Sequence, residues 1–107
     1  MQVELLFFEG CPSHAAFLPR LRTLLDRAGE NADIEQRPVQ SGEAAQRERF
    51  LGSPTLRIDG VDVDPHAGER SDYGLGCRLY PTAEGLQGMP PDAWVLEALA
   101  RAAGERP

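Results

Sequence analysis

The chain has 107 residues, the usual size of one domain, and a core of that size can be stable without disulfides or metals. Its 11 basic side chains are all arginine and its formal net charge is -6, which argues against binding to nucleic acid or to anionic lipid. No apolar stretch approaches the ~20 residues that cross a bilayer, and the N-terminus has no signal-peptide pattern. We therefore expect a single domain over residues 1–107, located in the cytoplasm.

The beginning of the chain predicts a strand followed by a helix. Residues 3–8 form an almost continuous apolar run that stops at Gly10, which is typical of a central strand covered on both faces. Apolar side chains then recur at helical spacing over residues 17–28, and Gly29 follows as a helix stop.

The remainder of the chain predicts two further helices and three further strands. Residues 32–39 indicate a half-exposed strand, and Ser41 can cap a short helix that ends near Gly52. The pair Asp59-Gly60 lies between two alternating segments and predicts a hairpin with a two-residue turn. Pro91 opens the last helix.

This order is β-α-β-α-β-β-α, an α/β fold. A right-handed crossover makes the first two strands parallel, and the hairpin completes a mixed four-stranded sheet. Residues 65–89 lie outside this pattern, and we expect them to form an inserted loop at the end of the sheet where Cys11 lies. A loop of that length in a compact domain is usually functional or disordered, and its apolar content argues against disorder.

Cys11 lies between the end of the first strand and the start of the first helix. Unpaired backbone N–H groups and the helix dipole favour negative charge there, so we expect an exposed and reactive thiolate. Pro12 suits the first helical position, and His14 lies three residues after Cys11 as an imidazolium partner. The alternative is that Cys11 is a small apolar residue beneath the helix and His14 is merely solvated.

Several separated features together resemble the thioredoxin superfamily. Residues 8–14, Phe-Glu-Gly-Cys-Pro-Ser-His, stand where that family has its active-site turn, and Pro19 stands where its first helix commonly has a proline. Ser53-Pro54-Thr55 precedes the third strand, where the family has a cis-proline beside the active-site sulfur. The resemblance implies a thioredoxin-like domain with a cis bond at Pro54. Because His14 stands at the position of the family's second cysteine, two-cysteine chemistry within this turn is not implied.

The other thiol, Cys77, lies in the inserted segment. Glycines on its N-terminal side would let residues 74–78 fold over Cys11, so Cys77 is either a resolving thiol or a second soft ligand, and otherwise a buried cysteine that packs the loop. Arg78 could pair with an anionic substrate or thiolate, or anchor the loop. The predicted catalytic residues are Cys11, His14 and Cys77, and the residues expected to contact substrate are Pro12, Ser53, Pro54, Thr55 and Arg78.

The remaining polar and aromatic residues support no cofactor and no metal site. His66 raises the count to two histidines and two cysteines, but their spacing matches no compact zinc pattern. Tyr73 and Tyr80 are interpreted as hydrophobic anchors of the inserted segment. The acidic residues Asp62, Asp64 and Glu69 are interpreted as a solvated rim.

Three functions remain open. The first is thiol redox chemistry on a thiol or disulfide substrate, with Cys11 attacking and Cys77 or an external thiol resolving the adduct. The second is binding of a soft ion such as Cu(I) or Hg(II). The chain is also similar to small thioredoxin-like proteins sometimes labelled alkylmercury lyase, for which Asp72 would be the candidate proton donor. The third is a non-catalytic module whose segment 65–89 forms a partner surface or a homodimer.

Overall fold

A computed structural model describes residues 1–104 of the chain, so residues 105–107 of the expected domain lie outside the described part. The elements follow one another as β1 Val3–Phe7, α1 Pro12–Arg27, β2 Ile34–Pro38, α2 Gly42–Glu48, β3 Thr55–Ile58, β4 Val61–Asp62, a short 3₁₀ turn Ala67–Glu69, β5 Tyr80–Thr82, β6 Gly85–Gln87 and α3 Asp92–Gly104. The expected mixed α/β architecture with three α-helices and a four-stranded sheet is confirmed, and a second small sheet is added to it.

The main sheet has the strand order β2-β1-β3-β4. Strands β1 and β2 are parallel, as the right-handed crossover predicts, and Val3 pairs with Ile34. Strand β3 is antiparallel to both of its neighbours, β1 and β4. As a result, the C-terminal end of β1 and the N-terminal end of β3 lie at the same edge of the sheet.

The apolar side chains divide between the two faces of this sheet. On one face, Val3 and Leu5 of β1 pack with the buried residues of α1 and α3, including Phe17 and Leu99. On the other face, Leu6 packs with α2 through Ala45 and Phe50. Because both faces are covered, all five residues of β1 are buried, which explains their nearly continuous apolar pattern.

The ends of the helices explain where they start and stop. Cys11 is the N-cap of α1, and Pro12 occupies the first helical position, where its missing N–H leaves no hydrogen bond unmade. Ser41 caps α2 by accepting a hydrogen bond from the Ala44 N–H at 3.0 Å. At the other end of α2, the Arg57 guanidinium donates to the backbone carbonyl of Glu48.

The segment 65–89 is more regular than the loop expected from sequence. It contains the 3₁₀ turn and the β5–β6 hairpin, in which the Thr82 hydroxyl donates to the carbonyl of Gly85 at 2.7 Å. The Gly74 N–H also donates to the carbonyl of Phe50 at 3.0 Å, which attaches the segment to the main domain. The sequence did not reveal the hairpin because each strand has only three residues and Pro81 is a weak strand former.

Within residues 1–104, every helix is too short or too polar to cross a membrane.

Candidate thiol site

The turn that carries Cys11 connects β1 to α1. The Cys11 N–H donates to the carbonyl of Phe8 at 3.3 Å, and Gly10 has a φ of 87°, a left-handed conformation that favours glycine. The Cys11 carbonyl accepts from the Ala15 N–H at 3.5 Å, which begins the helix. Only 4% of Cys11 is exposed, so the expectation of a solvent-exposed sulfur at this position is wrong. Cys11 is therefore enclosed by the protein at the start of α1.

His14 has partners other than Cys11. Its Nε2 lies 3.0 Å from Oε1 of Gln36, and its ring stacks on Phe7 with a centroid distance of 3.8 Å and an interplanar angle of 3°. Because the carbonyl oxygen of Gln36 can only accept, this contact is a hydrogen bond in the His14 tautomer that has its proton on Nε2. Among residues 1–104 no hydrogen bond joins His14 to the Cys11 thiol, so these contacts hold the ring against β1 and β2 instead.

Ser53 connects the two regions that carry cysteines. Its hydroxyl accepts a hydrogen bond from the Phe8 N–H at 3.3 Å, at the start of the Cys11 turn. Its backbone pairs with the segment around Cys77 as an isolated parallel bridge. In this bridge the Ser53 N–H donates to the carbonyl of Gly76 at 2.8 Å, and the Arg78 N–H donates to the carbonyl of Ser53 at 3.0 Å. The Ser53–Pro54 bond is cis, as predicted.

Cys77 is the exposed thiol of the pair, and both cysteines are free. It lines a shallow open cleft together with Leu51, Arg70, Asp72 and Leu79. The structure therefore brings Cys77 to the edge of the sheet where β1 ends, as the sequence predicted for this segment. Because Cys77 is exposed, the alternative of a buried cysteine that packs the loop is wrong.

Arg78 is buried, with only 2% of the residue exposed. Its Nη1 donates to Oδ2 of Asp62 at 2.8 Å, and its Nη2 donates to Oδ1 of Asp62 and Oδ2 of Asp64, both at 3.2 Å. Nη1 also donates to the Thr55 hydroxyl at 3.0 Å. These contacts argue against the substrate contact expected of Arg78 and give it an anchoring role.

The same contacts correct the interpretation of Asp62 and Asp64 as a solvated rim. Asp64 is buried and Asp62 is half-buried, because both carboxylates surround the arginine. A buried arginine tolerates its loss of water here because carboxylates bind both of its terminal nitrogens, although its buried Nε has no hydrogen-bond partner within the described residues. Sequence signals for this cluster were weak, because the pairing joins residues 14 and 16 positions apart.

Tyr80 is also buried and anchors the segment, as the sequence indicated. The Arg78 guanidinium carbon lies 4.7 Å from the centroid of the Tyr80 ring, and the ring meets Trp94 edge-on at 6.3 Å. Its hydroxyl donates to the carbonyl of Pro54. Burial raises the pKa of Tyr80 far above its usual value, and Arg78 only partly offsets this.

The other residues expected to contact substrate are mostly enclosed. Ser53, Pro54 and Thr55 are buried, and the Thr55 hydroxyl donates to the carbonyl of Gly52 at 2.6 Å. Pro12 is exposed at the start of α1.

Across residues 1–104, no group of three or more His, Cys, Asp or Glu side chains is placed to hold a metal ion. His66 is exposed and its Nδ1 lies 3.1 Å from a carboxylate oxygen of Glu69. Asp72 forms a paired hydrogen bond with Arg70, which lowers the pKa of that carboxyl, so Asp72 is ionised at neutral pH and poorly suited to donate a proton.

Three leucines of the segment 65–89 are exposed: Leu75, Leu79 and Leu86. Leu75 borders a groove with Phe8, Glu9 and Val39, which places it close to the Cys11 turn.

Gly52 is a further residue that sequence reasoning missed. It has a φ of 127°, and a Cβ placed on it would lie 3.0 Å from both the Gly76 carbonyl oxygen and Cβ of Arg78.

Comparison with known proteins adds no relative from which a role could be carried over. No protein-family model, no curated protein and no solved structure matches the chain.

Proposed function

We propose that this protein is a thioredoxin-like thiol–disulfide exchange protein in which Cys77 and Cys11 act as a pair. The observation that carries the proposal is the double connection of Ser53, which binds the Phe8 N–H through its hydroxyl and the Cys77 segment through its backbone. One buried residue thereby ties the exposed thiol to the strand end that leads into Cys11.

The topology supports the thioredoxin-like part of the proposal. The strand order β2-β1-β3-β4, with β3 antiparallel to its neighbours, is the mixed sheet that the resemblance implies. Helices α1 and α3 cover one face and α2 covers the other, so Cys11 lies at the start of a helix packed on the central strand. Fold by itself does not define activity, so the activity is argued from the two thiols.

The burial of the two cysteines supports an order of events. Cys77 is exposed and can meet a large disulfide, whereas Cys11 is 4% exposed and is accessible mainly to a sulfur held within the protein. We therefore assign the first attack to Cys77 and the resolving step to Cys11, which is the reverse of the order expected from sequence.

The exchange balances in atoms and electrons. The Cys77 thiolate attacks one sulfur of a disulfide R–S–S–R and displaces RS⁻, which leaves a mixed disulfide on Cys77. The Cys11 thiolate then attacks Sγ of Cys77 and displaces the second RS⁻, which leaves a Cys11–Cys77 disulfide. The two protons of the protein thiols pass to the two RS⁻ groups, so the substrate gains two electrons and the protein loses two. A thiol reductant returns the protein to its starting state.

The helix start supports the resolving role of Cys11. Cys11 is the N-cap of α1, where the first N–H groups of the helix have no partner within the helix and the dipole favours an anion.

The experiment uses a symmetrical aromatic disulfide that releases a coloured thiolate. The reduced protein should release two thiolates per chain and lose the mass of two hydrogens, and peptide mapping should find a Cys11–Cys77 disulfide. Cys11→Ser should release one thiolate and retain the mixed disulfide on Cys77. A Cys77→Ser chain should react much more slowly, because only the buried thiol remains.

A matched control moves the exposed thiol within the same segment. The double change Cys77→Ser with Ser71→Cys keeps an exposed cysteine but removes it from the bridge with Ser53. It should form the mixed disulfide and fail to close an internal disulfide. Rapid closure in this control, or a wild-type protein that stops at the mixed disulfide, would contradict the proposal.

Capture of a soft ion is the second candidate, because both thiols are free and lie at one edge of the sheet. Two thiolates are sufficient for linear coordination of Hg(II) or Cu(I). Native mass spectrometry of the reduced protein with Hg(II) tests this directly. One ion retained per chain against excess monothiol, and lost in both single cysteine variants, would favour ion capture. If the monothiol instead removes the Hg(II) ion from the protein, ion capture is contradicted and disulfide exchange remains the proposed function.

A further inference from the structure

Arg78 follows Cys77 directly and holds the segment to the main sheet by both its side chain and its backbone. The Arg78 N–H donates to the carbonyl of Ser53 at 3.0 Å, while the guanidinium binds Asp62 and Asp64. We propose that Arg78 is the positioning residue that holds Cys77 beside Ser53 and thereby sets the rate at which the Cys11–Cys77 disulfide closes. This inference rests on the proposed function and names a residue that controls its second step.

The anchor is built from several elements of the sheet. Asp62 belongs to β4 and presents both carboxylate oxygens to the two terminal nitrogens of Arg78. Thr55 belongs to β3 and its hydroxyl accepts from Nη1 at 3.0 Å. A planar guanidinium bound at both terminal nitrogens has a fixed orientation, which lysine with its single point charge cannot reproduce.

The chain on the other side of Cys77 is intrinsically loose. Gly74 and Gly76 precede it and lose more conformational freedom on ordering than other residues do. The exposed side chain of Cys77 itself offers no packing that would order this stretch. The order comes from backbone hydrogen bonds, namely that of the Gly74 N–H to the carbonyl of Phe50 and the bridge to Ser53, and from the buried Arg78 on the C-terminal side. This order determines how often the two sulfurs meet.

The close fit beneath the segment supports the same role. Gly52 lets the backbone of residues 76–78 approach so closely that a Cβ on Gly52 would lie 3.0 Å from Cβ of Arg78. The buried Tyr80 ring also packs against the guanidinium, whose carbon lies 4.7 Å from the ring centroid. Arg78 is thus enclosed by its neighbours, and it restricts the position of the adjacent Cys77.

The test separates the two steps of the exchange with the aromatic disulfide used above. Release of the first coloured thiolate measures attack by Cys77, and release of the second measures closure by Cys11. In Arg78→Met, closure should be slower than in wild type by about tenfold or more, while the first attack stays within about twofold. The closure rate of Arg78→Lys should lie between those of wild type and Arg78→Met, because lysine keeps the positive charge but cannot form the paired hydrogen bonds to Asp62.

A control arginine distinguishes positioning from a general loss of stability. Arg37 also joins two acidic side chains, Glu4 and Glu48, but it belongs to β2 at the opposite edge of the sheet. Arg37→Met should destabilise the protein to denaturant without slowing closure at a temperature at which it remains folded. If Arg78→Met does not fold, the closure rate is measured in Asp62→Asn, which weakens the paired hydrogen bonds between Arg78 and residue 62.

The outcomes are distinct. Slow closure in the Arg78 and Asp62 variants with normal closure in Arg37→Met supports the inference. Equal closure rates in wild type and in the folded Arg78 or Asp62 variants overturn it and leave the proposed function standing. A wild-type protein with no second release overturns both.

Discussion

The hydroxyl of Tyr80 donates a hydrogen bond to the carbonyl oxygen of Pro54, which joins the first strand of the small hairpin to the residue immediately before β3. Both residues are buried, so neither group can exchange its partner for water. Together with the bridge between Ser53 and Cys77, this bond attaches residues 77–80 along one side of residues 53–55.

Tyr80→Phe removes this hydroxyl and leaves the Pro54 carbonyl without its partner. Because the acceptor is buried, we expect the free energy of unfolding to fall by about 1–3 kcal/mol. Urea denaturation followed by circular dichroism measures the change. Tyr73→Phe is the control, since the Tyr73 hydroxyl makes no hydrogen bond within residues 1–104, and it should change the stability by less than about 0.5 kcal/mol. Equal losses of unfolding free energy in Tyr80→Phe and Tyr73→Phe would contradict a stabilising role for the hydrogen bond between Tyr80 and Pro54.

The same tyrosine predicts a loss of stability at alkaline pH. Burial raises the pKa of Tyr80 in the folded protein above 10.0, the ordinary pKa of a tyrosine side chain, which applies to the unfolded chain. The contribution of this pKa difference to the free energy of unfolding is fully present below the pKa of the unfolded chain. It is lost as the pH rises above that pKa, because unfolding then releases the tyrosine proton.

Melting temperatures measured between neutral pH and about pH 11 test this linkage, with ordinary tyrosine titration near pH ~10 as the reference. Wild type should lose more stability over the alkaline part of this range than Tyr80→Phe does. Parallel curves for the two proteins would show that Tyr80 ionises in the folded state as it does in the unfolded chain.

Local patterns predicted the main sheet well because each depends on neighbours along the chain. The Asp59-Gly60 turn, the Ser41 cap and the apolar run of β1 are all read from a few adjacent residues, and the structure has each of them. The parallel pairing of β1 and β2 followed from chirality rather than from any single residue.

The candidate site was harder to predict because its contacts join distant parts of the chain. Nothing local to Arg78 shows that Asp62 and Asp64 surround it, and a charged residue in a glycine-rich segment is usually solvated. The burial of Cys11 likewise depends on packing around the helix start and not on the Cys-Pro-Ser-His sequence. The residue types of the site were visible in the sequence, whereas their accessibility was not.

The cap of α2 gives a prediction independent of the thiol site. Ser41→Ala removes the oxygen that accepts the Ala44 N–H, and we expect a loss of about 1 kcal/mol in the free energy of unfolding. Ser41→Asp should retain most of the stability, because its carboxylate can accept the same hydrogen bond. Chemical denaturation of the three proteins should show that wild type is the most stable, Ser41→Asp the next and Ser41→Ala the least stable. A Ser41→Ala protein as stable as wild type would show that the cap contributes nothing.

Gly52→Ala tests whether the Cys77 segment depends on close backbone approach. The new methyl group would meet Cβ of Arg78 and the carbonyl oxygen of Gly76, each 3.0 Å away, and the φ of 127° is unfavourable for alanine. Strain at such a position costs about 1–3 kcal/mol, and the segment must shift to relieve the contact. We therefore expect both lower stability and faster amide hydrogen exchange at Arg78, whose N–H bonds Ser53.

Gly42→Ala is the matched control for this change, because a Cβ there meets nothing within 4 Å and the residue begins α2. It should leave stability unchanged or raise it by about 0.4–1 kcal/mol, since alanine has less freedom than glycine in the unfolded chain. It should not alter exchange at the Arg78 amide. If Gly52→Ala behaves like Gly42→Ala in both measurements, the segment does not require the close approach, and the side-chain contacts of Arg78 and Tyr80 hold it instead.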